Sequence, residues 1–89
     1  MPQFVLEHFV SESDRDVVAR CDRDARSAAE AMRRDGVAVR YLSSIFVPED
    51  ETCFFLYEAA SLETARLAAR RAGVPWERIA EAEVLVFKD

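Results

Sequence analysis

This chain of 89 residues holds one histidine, one lysine, one tryptophan, two cysteines, two glycines and three prolines. Each scarcity excludes something. Two glycines cannot build a glycine-rich phosphate loop, and no nucleophile elbow is present. A single histidine rules out a His-Glu-x-x-His metal motif. The cysteines, Cys21 and Cys53, lack the Cys-x-x-Cys spacing of zinc and redox sites. Each falls within an apolar pattern and reads as a buried free thiol. No apolar run reaches membrane-spanning length. Met1-Pro2-Gln3 runs straight into a strand without a signal-like leader. A cytoplasmic protein without a membrane partner is therefore expected. The net charge of −5 points away from nucleic acid and from anionic membrane surfaces.

What is present is half apolar, 51%, with no low-complexity tract, so the chain should fold. Residues 1–89 read as one domain. A chain this short buries only roughly 60–65% of its unfolded surface, so an oligomer interface would supplement its core.

Alternation and helical periodicity give the order strand, helix, strand, strand, helix, strand. The first strand runs from Gln3 to Val10, with Phe4, Leu6, His8 and Val10 on one face and Val5, Glu7 and Phe9 on the other. Ser13 and Asp16 suggest a capping box opening a helix from about Asp14 to Asp35. Its apolar stripe is Val17, Cys21, Ala25, Ala28 and Met32. Its outer face carries Asp16–Arg20, Asp22–Arg26 and Glu30–Arg34, each acid four residues before its base. Gly36 is a left-handed stop.

A strand over Val37–Val47, a turn at Pro48-Glu49-Asp50-Glu51 and a strand over Thr52–Glu58 follow. The third strand is polar on neither face and should be central. Ser61 caps a second helix with a stripe of Leu62, Ala65, Ala69 and Ala72, ended by Gly73. Pro75 is placed to open a short helical turn through Ile79, before a last strand over Glu81–Phe87.

The order is that of a ferredoxin-like βαββαβ, α+β fold: a four-stranded antiparallel sheet, order 4-1-3-2, with both helices on one face. Two helices cover one face only. On the other, Val5, Phe9, Leu42, Phe46, Phe54, Leu56, Leu85 and Phe87 form a large apolar surface. A homodimer closing sheet face on sheet face, a dimeric α+β barrel, is the economical cover. A bulge could shift this face assignment by one residue.

The candidate chemical groups each carry two readings. His8 is either a hydrogen-bonded histidine at the core edge or a general base or metal ligand, with Glu7 beside it. Tyr41 and Tyr57 are either core aromatics with bonded hydroxyls or groups that orient a ligand oxygen. Arg40 is a snorkelling edge residue or an anion clamp.

The run from Thr52 through Tyr57-Glu58-Ala59-Ala60-Ser61 to Ala65, then Ala69-Arg70-Arg71-Ala72-Gly73-Val74-Pro75, Arg78-Ile79 and Glu81, resembles a small family known as domain of unknown function 4242. The opening Met1–Glu7 shares the resemblance. Some members carry the name nickel-binding protein. The resemblance spans nearly the whole chain and implies a ferredoxin-like fold and dimers. It also implies a match between His8 and a histidine late in the first strand of the histidine-rich branch. That branch has helix histidines without counterparts here, Ala69 and Gly73 standing in the second helix. Its cysteine two residues before the strand-three tyrosine is Phe55 here, with Cys53 two positions earlier.

Two functions follow. The first is a dimeric binding or accessory protein, with a weak nickel-like divalent-metal site at His8 and Glu7, or a small-ligand site near Arg40 and Cys53. The second is a cofactor-independent enzyme of the dimeric α+β barrel type, monooxygenase-, cyclase- or isomerase-like, acting on an apolar substrate. In it His8 is the base and Tyr41 or Tyr57 binds the substrate oxygen. The second rests on architecture alone.

Overall fold

The computed structural model describes residues 1–86. In chain order it contains β1 (Gln3–Phe9), α1 (Arg15–Arg34), β2 (Val39–Val47), β3 (Thr52–Ala59), α2 (Leu62–Ala72) and β4 (Arg78–Ala82). The strands pair antiparallel in the order β2-β3-β1-β4, the expected order read from the opposite edge. This is the ferredoxin-like α+β fold. The core lies between sheet and helices, where Leu6, Phe55, Tyr57, Met32 and Val39 are almost wholly buried.

Local chemistry explains most boundaries. Ser61 accepts a hydrogen bond from the Thr64 amide at 3.2 Å and starts α2. Gly36 (φ 87°) and Gly73 (φ 72°) take the left-handed conformation that ends each helix, where a side chain would be strained. At the N-terminus of α1 the expectation is corrected. Ser13 does not cap the helix; Ser11 accepts from the Ser13 amide and caps a preceding 3₁₀ turn, Glu12–Asp14. The buried stripe of α1 is Val18, Cys21, Ala25, Ala29 and Met32, so Val18 and Ala29 replace Val17 and Ala28. Of the three expected ion pairs on its outer face, Asp22–Arg26 closes, at 3.4 Å.

Two further corrections concern the sheet. Leu42 is an extra residue between the pairs Tyr41↔Tyr57 and Ser43↔Leu56, so the alternation of β2 switches there. Phe46, expected on the open face, therefore turns toward the helices, packs on the core and lies under the Arg15 guanidinium, 5.9 Å from the ring centroid. Ile45 takes the outward place. The last strand starts three residues earlier than expected, and no helical turn follows Pro75. The reason is capture by β1: the Glu77 amide donates to the Glu7 carbonyl at 2.8 Å, and pairing begins at once with Glu7↔Arg78. Residues 83–86 are left past the end of the sheet, and Phe87 lies outside the described residues.

The cross-strand pairs map the open face. One row reads Arg40, Glu58, Gln3, Ala82; the next Ser43, Leu56, Val5, Ala80; the next Ile45, Phe54, Glu7, Arg78. The middle of this face is apolar. Phe9 is 60% exposed and Ile45 57%.

Candidate functional site

The helix-covered face has its own rows, and these decide which candidate residues meet. Phe4, Tyr57 and Tyr41 share one row; Leu6, Phe55 and Ser44 the next; His8, Cys53 and Phe46 the third. His8 is four residues from Phe4 along β1, roughly 13 Å. The fully buried Leu6 and Phe55 stand between His8 and the two tyrosines. Sheet geometry therefore separates the proposed base from the proposed oxygen binders. Arg40 is exposed on the opposite face beside Glu58, away from all of them.

The tyrosine row carries a polar cluster built on α1. Asp22 follows the buried Cys21 and reaches β2, where Oδ1 accepts from the Tyr41 hydroxyl at 2.6 Å and from Ser44 Oγ at 2.9 Å. Arg26, one turn on, donates to Oδ2 at 3.4 Å and lies 5.0 Å over the Tyr41 ring. Partial burial pushes the Asp22 carboxyl upward, but the bonds from Tyr41, Ser44 and Arg26 outweigh it and hold it below its ordinary 3.8. Burial, then the bond to Asp22, drives Tyr41 above the ordinary tyrosine range. Burial does the same to Tyr57, with a smaller contribution from Cys21. Both phenols therefore stay neutral. Tyr57 packs edge-on against Tyr41, ring centroids 5.1 Å apart, and its hydroxyl is fully buried without a partner among the described residues. Burial pushes the Cys53 thiol up to about 11 and raises Cys21 as well. Neither thiol is poised as a nucleophile.

His8 belongs to a separate arrangement. Its Nδ1 donates to Glu77 Oε2 at 2.8 Å, and the same oxygen accepts from the Phe9 amide at 3.0 Å. Glu7, adjacent in sequence, projects to the open face and is not the carboxylate His8 meets. Slight burial raises Glu77, but the bonds from His8 and the Phe9 amide prevail and set it below its ordinary 4.5. A carboxylate at Nδ1 makes that nitrogen the donor, so in the neutral ring Nε2 carries the lone pair. No spacing in the sequence links His8 to Glu77, 69 residues apart. Asp22 had a weak signal, being an acid beside a buried position of the α1 stripe.

Among the described residues, no three of histidine, cysteine, aspartate and glutamate converge to hold a metal ion. One subunit therefore supplies a single imidazole nitrogen, a poor fit to a closed nickel cage. No described helix is long and apolar enough to cross a membrane. The hollows lie elsewhere. One of about 690 Å³ sits between the Ser11–Arg15 and Pro48–Glu51 segments. A smaller recess, about 270 Å³, lies on the open sheet face over Val5, Phe54 and Ala80, with Glu7, Arg78 and Glu81 at its rim. His8, Tyr41 and Tyr57 line neither.

The solved structure of SCO4226 from Streptomyces coelicolor A3(2) is similar to this chain, with a TM-score of 0.65 and 23% identity, covering 94% of this chain and 99% of that one. At that identity the likeness speaks for the fold. No curated protein matches the chain. The sequence pattern of the family described as nickel responsive protein SCO4226-like matches residues 4–82, from the second residue of β1 to the last of β4. The chain therefore belongs to the SCO4226-like family.

Proposed function

We propose that this protein is a homodimeric binding or accessory protein whose two copies meet through their open sheet faces. The observation that carries the reading is that face: Phe54, Leu56, Val5 and Ala80 in its middle, with Phe9 and Ile45 more than half exposed beside them. An apolar surface of this kind on a free chain favours association. The charged residues on it, Arg40 with Glu58 and Arg78 with Glu7, sit at diagonal corners and leave the centre dry. Buried reduced thiols suit a cytoplasmic setting. Sedimentation equilibrium tests the reading. Wild type should show the mass of two chains, and Ile45→Glu with Phe9→Glu the mass of one, with unchanged circular dichroism. A single-chain mass for wild type at micromolar concentration refutes it.

The family name brings nickel into the same reading. We assign any divalent-cation contact in the described part of one subunit to His8 Nε2, oriented by Glu77. One imidazole makes such a contact weak and unselective. Titration calorimetry with nickel should show a weak heat that is lost in His8→Ala and reduced in Glu77→Gln. The same heat in His8→Ala removes His8 from the contact.

A further inference from the structure

We propose that residues 83–86 form an exchanged arm: the segment of each copy lies on the open sheet face of its partner. The inference rests on the dimer reading above and names the part of the chain that completes the interface.

The segment Glu83-Val84-Leu85-Val86 is aliphatic and β-prone, and it is exposed: Val84 47%, Leu85 85%, Val86 72%. It has outrun its strand neighbour. β1 begins at Gln3, which pairs with Ala82, so beyond Ala82 no strand of the described residues stands beside the chain. Among the described residues its one polar tie is the Val84 amide to Gln3 Oε1 at 3.1 Å. Bare aliphatic side chains are what a second chain's apolar sheet face covers.

Two considerations select a partner copy over the chain's own sheet. To cover its own open face the chain must reverse immediately after Ala82, and residues 83–86 contain no glycine, proline or asparagine to make that turn. Area is the second. Three rows across four strands about 4.8 Å apart outline roughly 400 Å². A stable interface takes about 800 Å² per partner. Even allowing for the corrugation of its side chains the sheet face falls short of that, and the arm is the apolar surface that continues it. The recess over Val5, Phe54 and Ala80, about 270 Å³, is placed to receive an aliphatic side chain. Under two-fold symmetry each copy gives one arm and takes one.

The test compares full-length wild type with Leu85→Glu/Val86→Glu and with a chain ending at Ala82, by sedimentation equilibrium at matched folding signal. Both altered chains should dissociate at least about tenfold more readily. Mixed single-cysteine variants, Ala80→Cys and Leu85→Cys, should form a disulfide between chains under mild oxidation, the native thiols being buried. A dimeric wild type whose dissociation constant is unchanged in Leu85→Glu/Val86→Glu overturns the exchanged arm and leaves the dimer standing. Closure within one chain of an Ala80→Cys/Leu85→Cys double variant at high dilution also overturns it. A monomeric wild type takes down both.

Discussion

Replacing Asp22 tests whether the charge on the outer side of α1 is more than a solvated surface. Its carboxylate receives the hydroxyl of Tyr41, a residue only 6% exposed, and that of Ser44. A hydrogen bond to a charged group contributes about 1.5–3 kcal/mol, and a buried donor left without an acceptor costs about 1–3 kcal/mol. The Asp22 side chain is 29% accessible, so water can replace part of what is removed, which places Asp22→Ala near 2 kcal/mol. For a domain of this size that lowers Tm by roughly 8–16 °C. Asp22→Asn retains an acceptor and should cost about half as much.

The assay is urea unfolding at fixed protein concentration, followed through Trp76, the only tryptophan. A cycle with Tyr41→Phe should return a coupling of about 1 kcal/mol or more. The pH dependence has a definite sign. A carboxyl held below its unfolded value contributes stability above that value and loses it as pH falls through the folded one. The gap between wild type and Asp22→Asn should therefore be full near neutrality and close below about 3.8. Additive effects of Asp22→Ala and Tyr41→Phe, or a gap that persists unchanged in strong acid, would refute the assignment.

The other predictions are shorter. Tyr57→Phe removes a buried hydroxyl that has no partner among the described residues, so it should be neutral or stabilising by up to about 1 kcal/mol in the same urea assay; a comparable loss would show that the hydroxyl is bonded. With Cys53 pushed up to about 11 and both cysteines buried, Ellman's reagent at mildly alkaline pH should modify neither until the chain unfolds; rapid labelling of the native protein contradicts that burial. The nickel titration of His8→Ala and the mass of Ile45→Glu/Phe9→Glu test the proposed contact and the proposed dimer as described above.

Much of the architecture could be read before any coordinates, because it rests on local rules. Alternation over Gln3–Val10 and Thr52–Glu58, the Ser61 cap and the stops at Gly36 and Gly73 lead to the βαββαβ order and its sheet order. Where the structure departs from these rules, a contact distant in sequence prevails. Pro75 opens no helical turn because β1 engages the backbone from Glu77 onward, 70 residues from Glu7 in the chain. Phe46 faces the helices because Leu42 bulges where β2 meets β3, which nothing in the pattern of β2 announces. Residue type marks the candidate groups, but not their partners. His8 pairs with Glu77 and not Glu7, Tyr41 with Asp22, and the histidine is separated from both tyrosines.

Periodicity, caps and glycine stops are properties of neighbouring residues, so strand and helix order, the central place of β3 and a sheet apolar on both sides were already written in the linear chain. Register, bulge and partner choice arise when segments up to 81 residues apart in sequence compete for the same hydrogen bonds. Folding alone could therefore settle that Asp22 binds Tyr41, that Glu77 claims His8, and that the chain runs past its last strand with Val84, Leu85 and Val86 uncovered.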